Sequence, residues 1–125
     1  MSLDDLARSA DPEDWEIDFA VCSAVLNFWP VKALFAALKR EFPNSDSDAL
    51  QRAAAEKLRE LAKLGVAEFF ITENGLARDL TIEEAIAQLG LDECWQPNGT
   101  YLAAGKKKGT NYFERVFELK GLGSI

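Results

Sequence analysis

DWEIDFAVCSAVLNFWPVKALFAALKR, residues 14–40, is the stretch on which the fold depends. Its apolar residues return at helical intervals. Trp15, Phe19, Cys22, Leu26 and Trp29 form one seam, and Val21, Val25 and Phe28 form a second row beside it. An apolar arc this wide predicts a helix buried against several neighbours, with the main seam inward. Asp11-Pro12 reads as its start, because proline at the first helical position lacks only a donor that would stay unpaired there. Pro30 breaks the run. Residues 31–40 then predict a second helix with Leu34, Phe35 and Leu38 inward.

Outward from this pair, Asn44-Ser-Asp-Ser-Asp48 begins like a calcium loop, but Ala49 and Ala55 stand where such a loop needs glycine and glutamate. A capping box from Ser45 to Asp48 is the better reading. It opens a third helix over 46–64, with Leu50, Ala54, Leu58, Leu61 and Leu64 inward and Arg52, Glu56, Arg59, Glu60 and Lys63 outward. Gly65 ends it. Residues 66–72 read as a strand with a turn at Glu73-Asn-Gly75. Thr81-Ile-Glu-Glu84 is a second capping box, for a fourth helix with Ile82, Ala85, Ile86 and Leu89 inward and Gly90 at its end.

After the turn at Pro97-Asn-Gly99, residues 100–104 read as a short strand and Gly105-Lys-Lys-Lys-Gly109 as a basic loop. Helical spacing then gathers Tyr112, Phe113, Val116 and Phe117 on one face, which predicts a C-terminal helix. Residues 1–10, anchored only by Leu3 and Leu6, form a loose N-terminal arm or a brief extra turn. The expectation is a single domain over 1–125 of α+β class, mainly helical: a three-helix bundle, a two-stranded hairpin with an inserted helix, and a C-terminal helix.

Composition narrows the function. The 125 residues are 48% hydrophobic and 28% charged, which suits a packed globular chain. The apolar run over 19–38 is interrupted by Asn27, Pro30 and Lys32, so a membrane span is not expected. Met1-Ser-Leu-Asp-Asp lacks the basic and apolar regions of a secretory signal, and Asn98-Gly-Thr reads as a turn. Cys22 and Cys94 match no metal or disulfide spacing, and a cytoplasmic, reducing location is expected. The absence of histidine removes the usual triads and neutral-pH bases, and no phosphate-cradling glycine pattern is present. The chain therefore reads as non-enzymatic, with no cofactor and no metal.

Charge is uneven. The net is −7, and residues 1–48 hold ten acids against four bases. An acidic half suits a basic protein partner, or serves only solubility.

Leu58-x-x-Leu61-x-x-Leu64-Gly65-Val66-x-Glu68, and Tyr101-Leu-Ala-Ala followed by Lys108-Gly109, resemble the entry to and exit from the wing of a winged-helix domain. The resemblance implies a wing-like hairpin, here with an inserted helix, and a third helix that meets DNA. Gly105 and Lys106 stand where many winged-helix regulators have leucine and threonine. The candidate DNA contacts are Arg52, Arg59, Lys63, Lys106, Lys107 and Lys108, opposed by Asp46 and Asp48 at the start of the same helix.

Three readings follow. The first is a small acidic protein-interaction or regulatory module with a protein partner. The second is a winged-helix DNA-binding regulator. In the third, Trp15, Trp29 and Trp95 bind a small molecule, against the simpler view that they are core. A homodimer joined through Tyr112, Phe113, Val116 and Phe117 is also expected.

Overall fold

In the computed structural model, which describes residues 12–109, helix α1 (Asp14–Leu26) is joined by four residues to α2 (Val31–Glu41) and then leads into α3 (Ser47–Lys63). Strands β1 (Ala67–Glu73) and β2 (Leu76–Leu80) follow, then α4 (Ile82–Leu89), a 3-10 turn at Asp92–Trp95, and β3 (Tyr101–Lys106). The class is α+β and mainly helical, as expected. The N-terminal arm and the helix expected over 112–119 lie outside the described residues.

The sheet is antiparallel with order β2-β1-β3. The expected hairpin partners do pair, Ala67 with Lys106 through Thr72 with Tyr101. What the sequence reading lacked is β2, which folds back across Asn74-Gly75 and pairs Phe69 with Leu80 and Glu73 with Leu76. Leu76-Ala-Arg-Asp-Leu80 shows little apolar alternation because it is an edge strand with four exposed residues in a row. Strand β3 also runs longer than expected and takes in Gly105 and Lys106.

The core contains Leu34, Phe35 and Leu38 of α2, Leu50, Ala54, Leu58 and Leu61 of α3, and Leu102 and Ala104 of β3. Trp95 closes one side. Its indole is buried, donates to the Leu89 carbonyl at 3.1 Å, and meets the Phe35 ring edge-on at 5.6 Å. A buried indole needs such a partner, since an unpaired N–H there would lose its water without replacement.

Helix α1 departs from the expected phase. Ile17, Val21, Ala24 and Val25 face the core, while Cys22 and Leu26 are half-buried against it. Trp15, Phe19, Phe28 and Trp29, expected inward, are exposed. The smaller set fits the close approach of α1 to α3 and β3, and the large rings are turned away. Ile82, expected inward on α4, is exposed as well.

The helix ends show why the elements stop where they do. Thr81 and Glu84 form the expected capping box, Thr81 Oγ1 accepting from Glu84 N–H and Glu84 Oε1 from Thr81 N–H. At α3 the cap is Asp46, not Ser45: its carboxylate accepts from Asp48 N–H at 3.2 Å. Helix α1 begins at Asp14 with Glu13 as its cap, which leaves Pro12 outside the helix.

Candidate docking groove between α1 and α2

Between the face that α1 turns away from the core and the edge of α2 that carries the core residues Leu34, Leu38 and Phe42 lies a cleft of about 450 Å³. Helical geometry dictates which residues reach it. On α1, residues 15, 16, 19, 20 and 23 share the arc opposite Ile17, Val21 and Ala24. They supply Trp15, Glu16, Phe19, Ala20 and Ser23 to one wall. Leu34, Ala37, Leu38, Glu41 and Phe42 form the other, and Trp29 closes the end at the connector. From Trp15 to Ser23 the wall is about 12 Å long, a little over two helical turns.

Three large rings line this cleft while remaining in water: Trp15 is 67% exposed, Phe19 72% and Trp29 42%. Scattered single apolar residues on a surface are ordinary, but three converging on one concavity are not.

Trp29 is positioned by the way α1 ends. Phe28 N–H donates to the Val25 carbonyl at 3.3 Å and Trp29 N–H to the Ala24 carbonyl at 2.9 Å, the two bonds of a Schellman motif. Such a motif places its turning residue in the left-handed region, where glycine is usual. Here that residue is Phe28, at φ 55°. The same motif closes α3 with Gly65 at φ 73°, where Val66 N–H donates to the Leu61 carbonyl. A left-handed aromatic residue costs about 1–2 kcal/mol relative to the ordinary conformation. Pro30, which follows, starts α2 and bridges to Ala103 of β3.

Polarity along the groove is uneven. Glu16 and Glu41 sit at the end remote from the connector, and among the described residues no lysine or arginine lines the cleft. The Glu16 carboxylate is held in place by Glu13 N–H, which donates to it at 3.0 Å. Lys39 and Arg40 belong to the other side of α2, where the Lys39 ammonium lies 4.3 Å from the centre of the Phe35 ring.

The basic residues singled out in the sequence lie elsewhere. Arg52 and Lys63 are exposed and Arg59 is half-buried on α3. Lys106, Lys107 and Lys108 are exposed, and Lys107 N–H donates to the Val66 carbonyl at 3.0 Å, which sets the lysine turn beside the end of α3. Arg52 is about 16 Å from Lys63 along the helix. Glu56 and Glu60 flank Arg59 in a shallow hollow that it shares with Lys63.

Of the three tryptophans, Trp15 and Trp29 line the groove and Trp95 belongs to the core. Tyr112, Phe113, Val116 and Phe117 lie outside the described residues. Among the described residues no group of three or more acidic, cysteine or histidine side chains is placed to hold a metal ion. No helix among them is long and apolar enough to cross a membrane.

Sequence reasoning found the groove's aromatic residues but gave them to the core. The signal that separates the two outcomes is the run Ile17, Val21, Ala24 and Val25, a second and smaller apolar face on the same helix. The chain matches no family model, no curated protein and no solved structure.

Proposed function

We propose that this protein is a small acidic, non-enzymatic interaction module that receives an apolar helical segment of a basic partner protein in the groove between α1 and α2. The observation that carries this reading is the exposure of Trp15, Phe19 and Trp29 around one apolar cleft. Tryptophan is the residue type most often found where binding energy concentrates at protein interfaces. A groove between two helices and about two turns long has the dimensions of helix-in-groove recognition. The net charge of −6 over residues 1–48 favours a cationic partner over an anionic one. The cleft is also of the size that small ligands occupy, but rings this exposed would leave much of such a ligand in water.

The test is a fluorescence-anisotropy titration with a labelled twelve-residue helical peptide, Leu and Phe at i, i+3, i+4 and i+7, lysines at one end and glutamine elsewhere. Saturable binding is expected, weakened at least tenfold by Trp15→Ala with Phe19→Ala. Binding that ignores both substitutions removes the groove from the proposal.

DNA binding is the second reading. It is favoured by the Lys107–Val66 bond, which brings the lysine turn to the end of α3, and by the β1–β3 pair of a winged-helix-like order. Against it stand Glu56 and Glu60 among the α3 cations, and Asp46 and Asp48 at that helix's start. Only weak association with duplex DNA is expected at moderate salt. Tight binding lost on neutralising Lys106, Lys107 and Lys108 would put this reading first.

The proposal retains a cytoplasmic setting, which suits two cysteines, Cys22 and Cys94, whose spacing matches no disulfide framework. It also retains a homodimer through Tyr112, Phe113, Val116 and Phe117. Sedimentation with Phe113→Glu and Phe117→Glu tests that contact.

A further inference from the structure

We infer that Glu16 and Glu41 form a cation-accepting end of the α1–α2 groove, so that the partner helix carries a lysine or arginine at one end of its apolar face. The inference rests on the docking reading and adds the chemistry and placement of one partner side chain.

Glu16 spends one oxygen on Glu13 N–H, which fixes the carboxylate in the lining of the groove. Glu41 makes no salt bridge or side-chain hydrogen bond among the described residues. Both line the same apolar cleft, and among the described residues no lysine or arginine lines it with them. Glu41 is also the last residue of α2, whose unpaired terminal carbonyls add partial negative charge at this end.

A partner helix that only needed apolar anchors would be satisfied by Trp15, Phe19, Trp29 and Leu38. Laid into this groove, such a helix places one terminal residue against two carboxylates beside a desolvated wall. A neutral residue leaves them unpaired, and an acidic one is repelled. A lysine or arginine meets both, with its methylene stem against Trp15 or Phe42 and its charge at the rim. Arginine is the better fit, because a planar guanidinium can stack on the Trp15 ring and still donate to a carboxylate.

The experiment compares the helical probe peptide, its terminal lysines replaced by glutamine and a single arginine, with the same peptide bearing citrulline in place of that arginine, which keeps shape and loses charge. Wild-type protein, Glu41→Gln and Glu41→Lys are titrated by anisotropy at low and moderate salt. The arginine peptide is expected to bind wild type about fivefold to tenfold more tightly than the citrulline peptide, the advantage shrinking with salt. Glu41→Gln should remove most of that difference, and Glu41→Lys should invert it. Equal affinities for both peptides in all three proteins, with Trp15→Ala still harmful, would overturn the cationic end and leave the docking groove standing. No saturable binding of either peptide would overturn both. If in addition Trp15→Ala with Phe19→Ala dissolved a wild-type dimer in sedimentation, the groove would belong to a second copy of this chain.

Discussion

The ring of Phe28 occupies the space that a side chain on Gly105 would fill, so the left-handed end of α1 is seated on β3. The strain at Phe28 is held there by two bonds of the helix end and by the ring's place over a strand residue with no β-carbon. Trp29, next in the chain, is thereby fixed at the end of the groove. Local backbone, sheet and candidate site meet in this contact.

Gly105→Ala should therefore destabilise the domain by about 1–3 kcal/mol, since its methyl group must displace the ring. In a Phe28→Gly background most of that loss should vanish, because the obstructing ring is gone and the left-handed position no longer carries a side chain. Chemical denaturation of both single variants and the double gives the coupling. Additive effects would mean that something other than Phe28 excludes a side chain at residue 105.

Truncating the tryptophans should separate core from groove. Trp95→Ala removes a buried indole and its bond to Leu89, with an expected loss of about 3–5 kcal/mol. Trp15→Ala, at a ring that is mostly in water, should cost no more than about 1 kcal/mol. Urea midpoints for the two variants check the order. Equal losses would place Trp15 in a packed environment.

This contrast marks what the sequence could tell. Helices α2 and α3 have one apolar face each, so their inward residues were legible from spacing, as were Gly65 as a stop and Thr81 as a cap. Helix α1 has two apolar faces, and spacing alone ranks the larger one, with Trp15 and Phe19, above Ile17, Val21 and Ala24. Which face is buried depends on how near α3 and β3 come, a tertiary distance that no local pattern holds. Strand β2 was hidden for a related reason: its pairing with β1 is backbone bonding, and its side chains do not need to be apolar. The acids that line the groove were visible only as net charge, because Glu16 and Glu41 are far apart in the chain and are brought to one cleft by the α1–α2 connection.

At the acid end, Glu84 is the group to watch. Its carboxyl is held below the usual 4.5, chiefly by the Thr81 N–H and then by the Arg78 guanidinium at 3.1 Å and the Thr81 hydroxyl. A lowered folded value means that its contribution is present above pH 4.5 and is lost as pH falls through the folded value. Glu84→Gln should flatten the stability profile in that acid window and leave the neutral-to-alkaline limb unchanged. Thermal melts between pH 3 and 8 would show it, and an unchanged acid limb would count against the cap.

Stability should fall at the alkaline end as well, where two groups act in the same direction. For Lys57, burial opposes the charge, but hydrogen bonding and attraction from Asp14, at 2.8 Å, and from Asp18, at 3.5 Å, outweigh it and raise the ammonium above 10.5. The ion pair ties α3 to the first turns of α1, and its contribution is complete below pH 10.5 and lost as pH rises through the folded value. Cys94 acts through the unfolded chain. Burial, with a smaller push from the Asp92 carboxylate, raises its thiol from 9.0 to about 12, while its Sγ–H donates to the Gln88 carbonyl. Unfolding releases that proton wherever pH lies between the two values, so the unfolded state gains as pH rises from about 9. Stability should thus fall from pH 9 upward, by at most about 1.4 kcal/mol per pH unit for each group. Cys94→Ala should flatten the slope from pH 9, whereas Lys57→Met should lower stability at neutral pH and flatten the slope only above about 10.5. Denaturant midpoints at half-unit steps from pH 7 to 11 separate the two. A wild-type profile level across that range would show that neither the buried thiol nor the Lys57 ion pair is linked to folding in the sense derived from the structure.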